Sequence, residues 1–103
     1  MLSPDEAAAL TGTSEAAIES WIAEGRCIGL SQPGGPYRLP RWQFEPSFLP
    51  VVPKVAEALG TREGWALLAF LESPHSALDG ATPRAAIERG EAERVLAIAG
   101  WEA

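Results

Sequence analysis

Few side chains in this sequence are of a type that does chemistry, and their spacing works against it. His75 is the sole histidine, so a serine or cysteine hydrolase would have to use it as general base. It follows Pro74 in a loop, and the nearest hydroxyls, Ser73 and Ser76, are sequence neighbours rather than groups brought across a fold. A solvated loop histidine is the expectation. Cys27, the sole cysteine, reads as a small buried hydrophobe at the start of a strand. It cannot form an internal disulfide and has no His/Cys cluster beside it for zinc. Glu88, Glu91 and Glu93 read as a solvated helix face, short of the ligands a metal site needs. No phosphate-cradling loop or dinucleotide fingerprint occurs, and Pro33-Gly34-Gly35 is a turn signal. Neither enzyme activity, nor a cofactor, nor a metal is expected.

Binding is the remaining chemistry. For nucleic acid the candidates are Thr13, Ser14 and Glu15 at the start of a helix, Arg26 after it, and Tyr37, Arg38 and Arg41 beyond. Ser14 and Glu15 can reach a base or a phosphate, and the arginines suit phosphate or minor-groove contacts. Glu19 and Glu24 on the same helix would face the phosphate backbone unfavourably. The whole chain carries 8 basic and 14 acidic side chains, a net charge of −6. Residues 1–46 hold Arg26, Arg38 and Arg41 against Asp5, Glu6, Glu15, Glu19, Glu24 and Glu45, half of that excess. This argues against strong non-specific binding, where a basic field supplies the affinity.

The elements that must position these residues can be read from local signals. Ser3-Pro4-Asp5-Glu6 opens a helix with a cap, a proline at the first position and a capping-box glutamate; Thr11-Gly12 ends it. Thr13-Ser14 caps a second helix whose apolar face is Ile18, Trp21 and Ile22, closed by Gly25. Cys27–Leu30 and Pro36–Leu39 flank a Gly/Pro-rich turn and predict a β-hairpin wing. Prolines 40, 46, 50 and 53 forbid a long helix there, and Arg41–Phe44 is expected to dock on the core as one apolar turn or a short extended piece. A helix follows over 51–59, with Val52, Val55, Ala56 and Leu59 on one face and Gly60 as its stop.

Thr61 is the expected cap of a helix over 62–72, with Trp65, Leu68, Phe70 and Leu71 as its apolar face. Ser73-Pro74 breaks it, Leu78-Asp79-Gly80 turns, Thr82-Pro83 restarts a helix, and Gly90 separates that from a last helix over 91–99. The fold class expected is mainly α: a winged helix-turn-helix with a small β-hairpin (residues 1–46), followed by a compact bundle of short helices (47–103). A chain of 103 residues buries roughly 60–65% of its unfolded surface, enough for one modest core. The four tryptophans, spaced about twenty residues apart, are expected to meet in or around that core.

No run of about eighteen apolar residues marks a membrane span. The N-terminal MLSPDEAAAL has no signal-peptide pattern. With its single cysteine, the chain is expected to be cytoplasmic.

Two resemblances cover nearly the whole sequence. Ser3-Pro4-Asp5-Glu6-Ala7-Ala8-Ala9-Leu10-Thr11-Gly12-Thr13-Ser14, Ile18, Trp21-Ile22, Gly25-Arg26 and Tyr37-Arg38-Leu39-Pro40 resemble the winged helix-turn-helix of the MerR and excisionase-like families. That implies DNA contact by the second helix and the wing, although the second helix here is acidic where those families carry an arginine or lysine. Trp65, Phe70-Leu71, Ser73-Pro74, Leu78-Asp79-Gly80, Thr82-Pro83, Ile87, Gly90 and Val95 resemble the toxin-binding domain of the Xre/MbcA/ParS antitoxins.

The second resemblance implies neutralisation of a RES-domain toxin, an enzyme that consumes NAD, by the C-terminal helices, and repression of the shared operon by the N-terminal module. The contact residues it implies are Leu78, Asp79, Gly80, Thr82, Pro83, Arg84 and Trp101. A homodimer is expected, and no membrane partner. The alternatives are a stand-alone transcriptional regulator that dimerises through its C-terminal helices, and an adaptor that no longer touches DNA.

Overall fold

A computed structural model describes residues 1–102. The expected mainly α composition is found: six α-helices, two short 3-10 turns and one antiparallel hairpin among the described residues. Helix α1 (Pro4–Thr11) begins with the reciprocal box its sequence specifies. Ser3 Oγ accepts from the Glu6 N–H at 3.1 Å, and Glu6 Oε1 accepts from the Ser3 N–H at 2.9 Å. Gly12, at φ 72°, ends it. Helix α2 (Glu15–Ala23) is capped by Ser14 Oγ, which accepts from the Ala17 N–H at 3.1 Å.

The hairpin sits tighter about its turn than the sequence suggests, with β1 starting later than expected and β2 earlier. Strand β1 is Leu30–Gln32 and β2 is Gly35–Arg38, joined through Pro33 and Gly34. Leu30 pairs with Arg38 and Gln32 with Gly35, so Pro36 and Tyr37 oppose Ser31 alone. This is a bulge, and Pro36, which has no N–H to offer a ladder, sits within it. Ile28 and Gly29 are not strand because their backbone is engaged elsewhere. Ile28 bonds a side chain in both directions, and Gly29 packs against Gly64. Leu39 makes a separate two-bond bridge with Leu2, both N–H···O distances being 2.8 Å, which ties the N-terminal strand of chain to the wing.

Residues Arg41–Phe44 form a 3-10 turn, and α3 (Val52–Leu59) ends as expected at Gly60, φ 72°. Helix α4 is Gly64–Glu72, and its cap is Glu63 rather than Thr61. The Thr61 hydroxyl instead accepts from the Glu63 N–H at 3.1 Å. That bond sets up the turn from which Glu63 Oε2 accepts from the Ala66 N–H at 2.6 Å. After a 3-10 turn over Ser76–Leu78, Thr82 caps α5 (Pro83–Glu88). Gly90, at φ 84°, separates it from α6 (Ala92–Glu102), which continues past the expected end at residue 99. Among the described residues no helix is long and apolar enough to cross a membrane.

Two clusters of buried side chains organise the molecule. The smaller holds Leu2, Ala7, Ala8, Ile18, Ile22, Cys27 and Leu39, with Trp21 and Phe44 against it. The larger is built on Phe48 and α3 to α6, and it also takes in Ile28 and Leu30. The hairpin segment therefore contributes to both. Gln43 joins them. It is 1% exposed, its Oε1 accepts from the Ile28 N–H at 2.7 Å, and its Nε2 donates to the Ile28 carbonyl at 2.9 Å. An amide with both ends satisfied removes the penalty of burying it.

The tryptophans do not meet in one core. Trp21 packs on the smaller cluster and Trp42 on the larger, while Trp65 is 48% and Trp101 72% exposed. Trp65 lies over the hairpin, its indole N–H donating to the Ser31 carbonyl at 3.0 Å. The face of α4 that goes inward is Gly64, Leu67 and Leu71.

Candidate binding surfaces

The residues that opened the sequence reading are accounted for by structure. Both ring nitrogens of His75 are engaged. Nδ1 accepts from the Ala77 N–H at 3.1 Å, so Nε2 carries the proton of the neutral ring, and it lies 3.1 Å from Glu102 Oε1. The ring is half-buried rather than fully solvated. Ser73 Oγ donates to the Ala69 carbonyl at 2.5 Å. Cys27 is buried, and desolvation pushes its thiol up to about 12, against a small opposing effect of Arg26; such a thiol is a poor nucleophile. Glu91 pairs with Arg89 and Arg94 at 3.0 and 2.9 Å, which holds its carboxyl below the usual range.

The face of α2 turned to solvent is Glu15, Ala16, Glu19, Ser20 and Ala23, with Glu24 following. It carries no basic side chain. Ser14 uses its hydroxyl on the helix cap, and Thr13 is half-buried. Of the remaining nucleic-acid candidates, Tyr37 is exposed within the bulge and Arg38 is half-buried at the end of β2. The charge of Arg38 reaches Glu6, whose carboxyl is lowered first by its hydrogen bonds to Ser3 and to a lesser extent by that arginine.

Arg26 and Arg41 are brought together elsewhere. Both line an open groove of about 1190 Å³ between α1–α2 on one side and α3–α5 on the other. Its apolar surface includes Leu10, Trp21, Trp42, Phe44, Leu49 and Leu68. The Arg26 guanidinium stacks on Trp21 at 5.2 Å, and Arg84 stacks on Trp42 at 4.6 Å. Arg84 also pairs with Glu72 at 3.1 Å and Glu88 at 3.6 Å. Arg26 has only a 3.8 Å contact with Glu24, and Arg41 has no carboxylate within ion-pair distance among the described residues.

The candidate protein-contact residues separate into two groups. Leu78 is 2% exposed and Pro83 is buried, so both serve the packing of the larger cluster and its edge. The Thr82 hydroxyl caps α5, accepting from the Ala85 N–H at 3.1 Å. Asp79 and Gly80 stand exposed in a loop with both residues at positive φ, 56° and 84°. The His75–Glu102 contact draws that loop toward the last turn of α6, where Trp101 is exposed.

The groove had no signature in the sequence. Its lips, Leu10 and Leu49, are large apolar residues left in solvent, and short helices with alanine-rich inner faces do not reveal which way a leucine points. Gln43 was equally hidden, although one amide between Trp42 and Phe44 in an otherwise apolar turn is the kind of signal that a buried polar clamp leaves. The chain matches no protein-family model, no curated protein and no solved structure.

Proposed function

We propose that the protein is an antitoxin-like binding protein that neutralises a RES-domain, NAD-consuming toxin through its C-terminal helices. The reading starts from the resemblance of residues 65–103 and draws its main support from one surface. Trp101 is the most exposed large apolar side chain of the protein, at 72%, and aromatic anchors of this kind dominate the energetics of protein interfaces. Asp79 and Gly80 lie in the loop that His75 holds to the same end of α6. Arg84 stands on the adjoining helix.

Repression of the shared operon by the N-terminal module is the second part of the proposal. The acidic outer face of α2 moves that contact to the wing, with Tyr37 and Arg38 meeting phosphates rather than α2 reading bases. Co-expression with a RES-domain protein, taken from the neighbouring gene where that gene encodes one, tests the first part. A stable complex that restores NAD levels and growth is expected, and loss of both with Trp101→Ala. Absence of any complex refutes it. A gel shift on the upstream region at low and physiological salt tests the second part, and no shift at either salt removes it.

A further inference from the structure

Both ring nitrogens of His75, the sole histidine of the chain, are already committed. Nε2 faces Glu102 Oε1 of α6 at 3.1 Å, and Nδ1 accepts from the Ala77 N–H at 3.1 Å. The neutral ring therefore carries its proton on Nε2, and a second proton has one place to go, the lone pair of Nδ1. That lone pair is the acceptor that caps the Ser76–Leu78 turn. We propose that His75 is a pH-sensitive clasp: on taking up a proton it tightens its hold on the end of α6 and releases the turn that leads into Asp79 and Gly80.

The exchange follows from the chemistry of imidazole. A doubly protonated ring has donors at both nitrogens, so no orientation of it can accept from Ala77. The contact to Glu102 gains a charge and strengthens, while the Ala77 N–H is left facing a second donor. No other group accepts from that N–H among the described residues.

The released turn holds a residue under constraint. Asp79, which ends it, is the only non-glycine residue at positive φ among the described residues, at 56°. Such a conformation persists where its surroundings enforce it, and the cap on Ala77 is part of that enclosure. The base of the loop stays closed: the His75 N–H donates to the Ala81 carbonyl and the Gly80 N–H to the His75 carbonyl, both at 3.1 Å. Leu78, 2% exposed, anchors the loop to the larger cluster. The change is thereby confined to the exposed part of the loop.

Among the charged groups nearby, Glu102 is the one bonded to the ring. Arg94, also on α6, donates to the Ala77 carbonyl and pairs with Glu91 at 2.9 Å. Glu72 at the end of α4 is taken by Arg84 of α5 at 3.1 Å, and Asp79 stands exposed in the loop itself. On the reading of Asp79, Gly80 and Trp101 as a contact surface, the clasp makes partner binding pH-dependent. The clasp itself requires no partner and is tested without one.

The test is an NMR titration of the isolated protein from about pH 8 to about pH 5, the range in which histidine ordinarily changes charge. It follows the ring nitrogens of His75 and the backbone amides of the loop. At the alkaline end the ring should be the Nε2–H tautomer. As the ring takes up its second proton, the Ala77 amide should lose its internal hydrogen bond, its temperature coefficient becoming that of a water-bonded amide, with the same midpoint as the ring. His75→Asn, which keeps a side-chain oxygen to cap Ala77 but cannot titrate, should show no such transition. Glu102→Gln should lower the midpoint and leave ring and amide coupled. An Nδ1–H tautomer at the alkaline end, a ring that stays neutral throughout, or an Ala77 amide indifferent to ring protonation each overturns the proposal. So does an Ala77 transition that survives in His75→Asn, or a midpoint unmoved by Glu102→Gln.

Discussion

Gly64, the first residue of α4, rests on the carbonyl of Gly29 so closely that a Cβ at position 64 would clash with that oxygen, well inside any van der Waals contact. Neither glycine needs its conformational freedom here, since neither lies at positive φ; what is needed is the absence of a side chain. The contact lets α4 close over the segment leading into β1, and it explains why Ile28 and Leu30 reach the larger cluster. Gly64→Ala should therefore destabilise the protein by about 2–3 kcal/mol through overpacking against backbone. Gly100→Ala, within α6 and open to solvent, should be neutral or stabilise by about 0.5–1 kcal/mol. Urea unfolding of the two variants measures the contrast.

Gln43→Leu keeps most of the volume but strands the N–H and carbonyl of Ile28 in the interior. Loss of about 2–4 kcal/mol is expected from two unsatisfied buried backbone groups. Hydrogen exchange gives the direct readout: the Ile28 amide, protected in the native protein as it donates to Gln43, should exchange far faster in the variant.

The Cys27 thiol should resist alkylation in the folded protein at neutral pH and react only at the rate of unfolding. Its folded value, pushed up to about 12 by burial, lies above the ordinary 9.0. The sign follows from linkage. The neutral thiol is favoured by folding, so its contribution is complete below pH 9 and is lost as pH rises from there toward 12. Cys27→Ala should flatten the alkaline limb of a stability-against-pH curve; an unchanged limb would falsify the assignment.

At the acid end, Glu6 should titrate below the ordinary carboxyl value, because the ionised form accepts the Ser3 N–H. Its contribution is present above the ordinary value and is lost as pH falls through the lowered one. Ser3→Ala removes the reciprocal half of the box, which should cost about 1 kcal/mol and return the Glu6 midpoint toward normal in a carbon-detected NMR titration.

Helix boundaries were legible because they are decided locally. Ser3, Gly12, Ser14, Gly60, Thr82 and Gly90 each act within four residues of themselves, and each does what its type implies. Thr61 misled because its hydroxyl is drawn to the turn, where it accepts from the Glu63 N–H, and the Glu63 carboxylate caps the helix instead. The start of β1 and the exposure of Trp65 were illegible for a different reason. Both depend on groups distant in sequence: the Gln43 amide, the Gly64 approach and the Ser31 carbonyl. The groove belongs to this second kind, since Arg26, Arg41 and Arg84 meet only after the two modules have docked. The acidity of α2 was readable from the start, and its placement in solvent adds that those charges face whatever approaches the helix.

The doubly bonded amide of Gln43 also bears on how such a chain can change over evolutionary time. Proteins assembled from separable parts tend to meet at a pliant joint, where one part can be exchanged for another by recombination. Here the joint is stitched: Ile28 belongs to the hairpin segment, Gln43 to the turn after it, and the side chains around them are shared by two clusters. A breakpoint anywhere between those residues severs the stitch and opens both interiors. The front and back halves of this protein are thus bound to be inherited together, and a change of partner must come through substitutions on the surface rather than through replacement of a module.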